Sequence, residues 1–362
     1  MTSEPPDWKR RQFLKAAGSL VGAIGLTGAS PVPMTQGQST RQESSAPRVQ
    51  PIAKPFVSPG ERPKVGCVSW CFHSFNGGTS PEEAIDLIGK IGFDGIELIL
   101  LAREDIEGFW TERTIDKIKR QLDHHKLRLS QFVLFQPVVE GLPSADPEER
   151  ERNLGHFEAG CRIGKKLGAP IINIVAPWPR ELSGPRPYLP RYYEISEPQP
   201  GEKYHIDIAS GFDWQRTWQT FVETVKGCLE RAKAHHMRLS IEHHTHTMIP
   251  DATSFLHLWD AIRDPALGYN LDTGWTLLQR EYPPLAILKV RDHLANLHVR
   301  DIDGLMHKFV HIGEGVMDFR ALAEILKAIE FTGSLSLEQD KHPGDMEATC
   351  RRYLGLMREY LP

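Results

Sequence analysis

The chain has 362 residues, with 43 Lys or Arg, 47 Asp or Glu and a formal net charge of −4. Residues 1–63 hold eight of the basic and four of the acidic residues, so residues 64–362 keep 35 basic and 43 acidic residues, a formal charge of −8. A body this acidic argues against a nucleic-acid partner, because a phosphate backbone requires a basic surface.

The first segment, residues 1–30, is typical of an export signal. Lys9–Lys15 ("KRRQFLK") places paired arginines before an uncharged run, Ala16–Ala29. This run is too short to span a bilayer as a helix, which needs about 20 apolar residues. A basic start, a short apolar region and small residues after it predict a signal peptide. The arginine pair resembles the twin-arginine type, which predicts passage through the twin-arginine (Tat) translocase to the periplasm. No Cys follows the apolar run, so no stable membrane anchor is expected.

The next segment, residues 31–63, is rich in Pro, Ser and Gln and has no apolar periodicity. This composition predicts a flexible linker. The remaining segment, residues 64–362, is long enough for one large α/β domain, and no second linker divides it.

The five cysteines are an odd and scattered set. Cys67 and Cys71 lie four residues apart on one predicted strand, which separates them by about 13 Å at ~3.3 Å per residue. A disulfide requires Cα atoms within about 7 Å. We expect all five cysteines to be free thiols, most of them buried.

Strand-like apolar runs alternate with helical patterns along residues 64–362. Ser80 followed by Pro81 marks a helix start after the first run, and helical patterns recur at residues 112–124, 146–168 and 213–235. The predicted strands are Val65–Cys71, Gly95–Ile99, Arg128–Leu134, Ile171–Val175, Arg238–Glu242, Gly268–Asp272, Leu294–His298 and Ser334–Glu338. Eight β/α repeats predict an α/β protein with a single-domain (β/α)8 TIM barrel, a fold of about 250 residues. A doubly wound open sheet is the alternative, but no Gly-rich phosphate loop follows the first strand.

Polar residues end the last four predicted strands: Glu242, Asp272, His298 and Glu338. Each has an ordinary explanation alone, as a helix cap, a solvated loop residue or a structural histidine. Adjacent strand ends converge on the barrel axis, however, and catalytic residues lie at this end of the fold. Three carboxylates cannot all stay ionised together without a cation. The pattern therefore predicts a divalent-metal site, with Arg300 and Asp301 as its neighbours.

Six segments carry a family resemblance: "GFDGIEL", "IEHH", "NLDTG", "HVRD", "GEGVMDF" and "SLEQD", in this order. They resemble the xylose isomerase-like TIM barrel family of sugar isomerases and epimerases over nearly all of residues 64–362. The resemblance implies that Glu242, Asp272, His298 and Glu338 bind one divalent metal, with Glu242 and Glu338 as the catalytic pair beside the substrate carbon. It also implies that Glu97 contacts the substrate, for which a structural salt bridge is the alternative.

The ligand set is rich in oxygen, which favours Mn²⁺ or Mg²⁺ and also accepts Zn²⁺ or Co²⁺. Two departures from the family pattern bear on the substrate. Trp275 stands where the sugar isomerases often have a His, and Arg300 stands where the family has a Lys. Arg offers a bidentate fork where Lys gives a point charge. His244 could supply the missing imidazole, although "HHTH" can equally be a polar loop.

A long connection, residues 176–211, follows the fourth predicted strand, whereas such loops usually have 2–6 residues. An insertion at this face predicts a functional lid; a surface loop or an oligomer contact is the alternative. We expect its aromatic residues to stack on a sugar and its arginines to meet hydroxyls or a carboxylate: Trp178, Tyr188, Arg180, Arg186 and Arg191. The candidate substrate contacts are thus Glu97, Trp178, His244, Trp275 and Arg300.

The expected function is that of a divalent-metal-dependent isomerase or epimerase acting on a carbohydrate by proton transfer beside a carbonyl. A periplasmic enzyme meets few phosphorylated metabolites, so unphosphorylated sugars or keto-sugars such as a 3-keto sugar are the expected substrates. A lyase or dehydratase would use the same site. An endonuclease IV-like phosphodiesterase would need further His and Glu ligands and a positive surface, and a non-catalytic sugar-binding barrel is the remaining alternative. The oligomeric state stays open, and a homo-oligomer is compatible with the sequence.

Overall fold

The computed structural model describes residues 62–74, 77–78, 80–179, 182–183, 207–245, 247–304, 308–339 and 345–361. The predicted signal and all but the last two residues of the predicted linker lie outside these ranges. Four loop residues named above lie outside them too: Arg180, Arg186, Tyr188 and Arg191. Among the described residues, no helix combines the length and apolarity that a membrane crossing requires.

Eight parallel strands form a closed barrel, as the sequence predicts. They are β1 (Lys64–Val68), β2 (Gly95–Leu100), β3 (Arg128–Leu134), β4 (Ile171–Val175), β5 (Arg238–Glu242), β6 (Leu267–Asp272), β7 (Leu294–Val299) and β8 (Ser334–Leu337). Each strand pairs with its neighbours in the sequence, and β8 closes the ring by pairing Ser334 and Leu337 with Lys64 and Cys67 of β1. The strands are almost wholly buried because helices cover their outer faces.

Eight helices follow the strands in turn. They are α1 (Pro81–Ile91), α2 (Glu112–His125), α3 (Pro147–Leu167), α4 (Trp214–Ala234), α5 (Ala252–Ile262), α6 (Pro283–Val290), α7 (Phe319–Ala328) and α8 (Met346–Tyr360). Three shorter helical segments are Asp105–Gly108, Gln136–Val139 and Thr273–Leu278. An Asp side chain caps the N-terminus of α3, α4, α5, α7 and α8 by accepting a backbone N–H of the first turn. Gly92 ends α1 with a φ of 97°, a conformation that favours glycine.

The apolar core lies between the barrel and its helices, because alternate strand residues point outward. Ile96 and Leu98 of β2 share one buried cluster with Ile85 and Ile88 of α1. Glu97, which lies between Ile96 and Leu98 on β2, points the other way, into the barrel. This alternation sends apolar residues to the helices and polar residues to the barrel axis.

The first predicted strand is too long. β1 ends at Val68, and Ser69–Cys71 form a single 3₁₀ turn. This turn carries Trp70, whose indole N–H reaches the carboxylate of Glu338 at 2.9 Å. Cys67 and Cys71 therefore do not share a strand, although all five cysteines are free thiols as expected. The Sγ atom of Cys67 instead lies 4.0 Å from that of Cys350 in α8.

The long connection after β4 contains a small antiparallel pair, in which Leu182–Ser183 pairs with Asp207–Ile208. Trp178 lies just before this pair and donates its indole N–H to the carbonyl oxygen of Leu182 at 3.2 Å. The predicted role of the connection as a lid remains a prediction.

Candidate metal centre

The structure brings together all four predicted metal ligands at the C-terminal end of the barrel. Glu242 and Asp272 end β5 and β6, His298 is the penultimate residue of β7, and Glu338 directly follows β8. One ligand atom from each residue lies within 4.8 Å of the other three. All four side chains are buried, and Asp272 is the direct register partner of His298 across β6 and β7. The convergence follows from the parallel strand direction, which places all eight carboxyl ends at one mouth.

His298 lies between the two glutamates. Its Nδ1 atom is 2.6 Å from Glu338 Oε2 and 3.2 Å from Glu242 Oε1. Arg300 crosses the other side of the cluster, with Nε 2.7 Å from Asp272 Oδ2 and its Nη2 against Glu338. Asp272 also caps the segment Thr273–Leu278, because its Oδ1 accepts the N–H of Trp275 at 2.9 Å.

Burial and the close approach of the carboxylates shift the pKa values of the residues in the cluster. Burial, together with the nearby charges of Glu338 and Glu242, raises the pKa of Asp272 to about 7 despite the opposing effect of Arg300. Burial disfavours charge on Glu338 too, but Arg300 and His298 outweigh it and lower its pKa. Burial likewise acts against a charged His298, yet the surrounding carboxylates raise its pKa well above the usual value.

These residues fit a divalent cation. One atom from each of three carboxylates and one imidazole lies within 4.8 Å of the others, and these are oxygen and nitrogen donors that suit a divalent cation. Arg300 and His298 offset part of the negative charge, but the nearby carboxylates of Glu338 and Glu242 still help to raise the pKa of Asp272. A divalent cation would relieve this repulsion between crowded carboxylates. Glu242, Asp272, His298 and Glu338 are the residues that would hold it.

Two of the predicted substrate contacts form a wall beside the cluster. The rings of His244 and Trp275 stack with centroids 4.2 Å apart. His244 Nε2 also lies 3.3 Å from Glu242 Oε1, and His244 and His298 together hold the pKa of Glu242 well below its usual value against the effect of burial. The Arg300 guanidinium lies over the rings of Phe309 and Trp275, at 4.8 Å and 5.9 Å. His244, Trp275 and Arg300 are therefore grouped at the cluster, where their substrate roles remain predictions.

Glu97 lies next to His298 inside the barrel. It is fully buried, and its Oε2 lies 2.9 Å from Nε2 of His298. This contact matches the structural ion pair given as the alternative for Glu97, and a contact with the substrate stays a prediction.

Asp301 is a neighbour of the cluster in sequence, but its carboxylate points away to a loop. It accepts four backbone N–H groups, from Ile302, Gly313, Gly315 and Met317, at 2.9–3.0 Å. Asp301 is a neighbour of the cluster along the chain, and its side chain binds these backbone groups. Its carboxylate instead fixes the "GEGVM" loop against the strand end.

Sequence reasoning missed Trp70 and a polar layer beneath the ligands. Trp70 donates to Glu338 and meets the ring of His298 edge-on, with centroids 6.0 Å apart. The polar layer contains Ser240, Asn270, Asn296 and Ser336, each two residues before a ligand on its strand. A signal for this layer exists in the sequence as the repeated spacing "SIE", "NLD", "NLH" and "SLE", because residues two apart on a strand face the same side. Trp70 has no such signal.

The fold and the site together define a class of protein: a closed (β/α)8 barrel whose C-terminal end carries a carboxylate–imidazole cluster that could hold a metal ion. Within that class, the family described as xylose isomerase-like TIM barrel matches residues 85–360. The chain belongs to this family.

Several solved structures share the fold. A D-psicose 3-epimerase from Clostridium cellulolyticum H10 is 16% identical, with 82% of this chain and 99% of that chain covered and a TM-score of 0.63. A 3-keto-D-glucoside 4-epimerase from E. coli is 17% identical, with 82% and 100% covered and a TM-score of 0.62. A probable 3-DHS dehydratase from Bacillus anthracis is 16% identical, with 82% and 98% covered and a TM-score of 0.61. The comparison with curated proteins gave no match.

Proposed function

We propose that this protein is a divalent-metal-dependent epimerase or isomerase that acts on a keto-sugar. The observation that carries the proposal is the pairing of Glu242 and Glu338, which reach the same imidazole nitrogen from strands β5 and β8. The fold shared with a D-psicose 3-epimerase and a 3-keto-D-glucoside 4-epimerase supports it.

The proposed metal is Mn²⁺ or Mg²⁺, with Zn²⁺ or Co²⁺ also accepted, because the donor set is rich in oxygen. When bound, the ion supplies Lewis-acid chemistry, which lowers the cost of removing a proton beside a carbonyl. Its ligands in this proposal are Glu242, Asp272, His298 and Glu338.

The two glutamates would move the proton. One carboxylate removes it from the carbon beside the substrate carbonyl, and the other returns a proton to the opposite face, which inverts that carbon. Return to the neighbouring carbon would give isomerisation instead. The lowered pKa of Glu242 and of Glu338 favours the ionised form, which is the form that accepts a proton near neutral pH. The carboxylate that returns a proton would first take one up from solvent.

Each glutamate is held by a nitrogen from outside the ligand set. His244 Nε2 lies 3.3 Å from Glu242 Oε1 on one side, and Trp70 donates to Glu338 Oε1 at 2.9 Å on the other. The other oxygen of Glu338, Oε2, lies 2.6 Å from His298 Nδ1, and the other oxygen of Glu242, Oε2, accepts from Asn270 Nδ2 at 3.2 Å. The arrangement would keep the two bases in fixed orientations, which proton transfer requires.

A lyase or dehydratase is the second candidate. Elimination begins with removal of the same proton and then expels a β-hydroxyl or a glycosidic oxygen, so the same glutamates would serve it. The fold shared with a probable 3-DHS dehydratase supports this alternative. The two candidates differ in product, since elimination leaves a double bond and epimerisation does not.

We further propose that the enzyme works in the periplasm on unphosphorylated sugars or oxidised glycosides. The paired arginines Arg10 and Arg11 carry the proposed export. A 3-keto sugar fits the proposed chemistry, because it presents a carbonyl beside a hydroxyl and an acidic proton between them.

The deciding experiment is solvent exchange. The purified chain with Mn²⁺ is incubated in D₂O with a panel of keto-sugars, and products are followed by NMR and mass spectrometry. Deuterium at the carbon beside the carbonyl, lost in Glu242→Gln and in Glu338→Gln, is the expected result. Glu223→Gln, at an exposed position of helix α4, should behave like the wild type. Full exchange and turnover in both glutamate variants would overturn the paired-glutamate mechanism.

A further inference from the structure

We propose that Glu97 is a positioning residue, which holds the imidazole of His298 from inside the barrel so that its Nδ1 faces the other three ligands. This inference rests on the proposed function, because it concerns the metal centre of the same site. It gives a role to a buried carboxylate that lies outside the ligand set.

The first step is the enclosure of Glu97. Its side chain has no exposed surface, and both of its oxygens are engaged. Oε2 accepts from Gln131 Nε2 at 2.7 Å and contacts His298 Nε2 at 2.9 Å, while Oε1 accepts from Asn296 Nδ2 at 2.9 Å. A buried carboxylate with this set of donors is held in one orientation. It therefore acts on the site through His298 and not through the substrate.

The second step is that the two nitrogens of the His298 imidazole face different partners. His298 turns Nε2 toward Glu97 and turns Nδ1 toward Glu338 and Glu242. An ionised carboxylate can only accept a hydrogen bond, so the proton of a neutral ring would sit on Nε2. This leaves the lone pair on Nδ1, the nitrogen that lies beside Glu338 and Glu242, while the amide nitrogen of Asn270 lies near both ring nitrogens, 3.2 Å from Nδ1 and 3.3 Å from Nε2. Histidines that bind metals commonly donate their second nitrogen to such a carboxylate, which fixes the tautomer and raises the basicity of the ligand nitrogen.

The third step is the network that holds Glu97. Gln131 Oε1 accepts from Ser240 Oγ at 3.0 Å, and Asn296 Nδ2 also donates to Asn270 Oδ1 at 2.9 Å. Asn270 in turn donates to Glu242 Oε2 at 3.2 Å. The layer beneath the ligands is therefore connected to two of them.

The polar character of this layer is itself informative. Barrel interiors are usually filled by bulky branched apolar residues, and a buried polar group costs free energy unless it is hydrogen-bonded. The hydrogen bonds of Gln131, Asn270 and Asn296 connect Glu97 to Glu242, and a connected polar network at this depth is consistent with a positioning role.

The test uses the full chain, stripped of metal with a chelator. Mn²⁺ binding is measured by electron paramagnetic resonance and by calorimetry for the wild type, Glu97→Gln and Tyr353→Phe. Glu97→Gln should weaken Mn²⁺ binding by about 10- to 100-fold. The control removes a different buried hydrogen bond of the barrel, from the Tyr353 hydroxyl to the carbonyl oxygen of Leu335, and should change binding less than threefold.

A spectroscopic measurement on the wild type keeps the proposal testable if Glu97→Gln does not fold. Histidine labelled with ¹⁵N reports the protonation of each ring nitrogen by NMR in protein loaded with Mg²⁺ or Zn²⁺, and loss of a signal in His298→Gln assigns it. A proton on Nε2 of His298 is expected. A proton on Nδ1 instead would overturn the proposal, and so would Glu97→Gln binding Mn²⁺ as tightly as the wild type.

The outcomes separate this inference from the proposed function. If the wild type binds Mn²⁺ and Glu97→Gln binds it equally well, the role of Glu97 fails while the metal centre stands. If the folded wild type binds no divalent metal, the proposed function fails, and the positioning role fails with it.

Discussion

Replacing Asp272 with Asn should remove one metal ligand while keeping the local fold. Asp272 Oδ1 accepts the N–H of Trp275 as a helix cap, and Asn caps helices about as well as Asp. The amide nitrogen of Asn would replace Oδ2, which lies 2.7 Å from Arg300 Nε. The –NH₂ nitrogen of an amide has no lone pair available for a cation, so Asp272→Asn should fold and bind metal much more weakly.

The size of the effect follows from the linkage between binding and folding. A metal at a hundred times its Kd stabilises a protein that binds it only when folded by about 2.7 kcal/mol. If the variant binds a hundred times more weakly, the same concentration equals its Kd and adds about 0.4 kcal/mol. At about 2–4 °C per kcal/mol, the unfolding temperature should rise by roughly 5–10 °C for the wild type and by about 1–2 °C for the variant.

The assay is thermal unfolding of chelator-treated protein with and without Mn²⁺ at a hundred times the wild-type Kd. The matched control is Asp146→Asn, which changes the N-cap of α3, 96 positions before the first ligand Glu242, where Asp146 accepts the N–H of Glu148 at 3.0 Å. This control should show the full wild-type rise. An equal rise in Asp272→Asn would refute the assignment of Asp272 as a ligand.

Three further predictions concern other parts of the chain. Asp301→Asn should lower the free energy of unfolding, measured in urea, by about 2–4 kcal/mol, because the amide nitrogen would face two of the four N–H donors and leave them unsatisfied. An unchanged urea midpoint of unfolding would contradict the anchoring role of Asp301. Trp70→Phe keeps an aromatic ring but loses the N–H hydrogen bond that orients Glu338. Exchange of solvent deuterium into the substrate should slow by about tenfold, which corresponds to an activation barrier higher by about 1.4 kcal/mol. Exchange at the wild-type rate would remove Trp70 from the site. Arg10→Lys with Arg11→Lys should stop delivery to the periplasm, as measured by cell fractionation, and undiminished delivery would rule out twin-arginine export.

Local patterns in the sequence were sufficient for the barrel and for the ligand cluster. Alternating apolar runs and capped helices predicted the eight β/α repeats, because hydrophobic periodicity and helix caps depend on residues close in the chain. The parallel direction of the strands then placed Glu242, Asp272, His298 and Glu338 at one mouth, since all strand ends in this fold meet there. That inference required no knowledge of which side chains touch.

Contacts across the barrel required the tertiary structure. Glu97 and His298 are 201 positions apart in the chain, and Trp70 and Glu338 are 268 apart. Whether such residues meet depends on the strand tilt and on the closure of β1 against β8, which no local pattern encodes. The sequence therefore determined which residues end the strands. The tertiary structure decided that Glu97 lies beside His298 and that Trp70 reaches Glu338, because closure of the barrel sets β1 beside β8 and brings β2 and β7 within hydrogen-bonding distance across the interior.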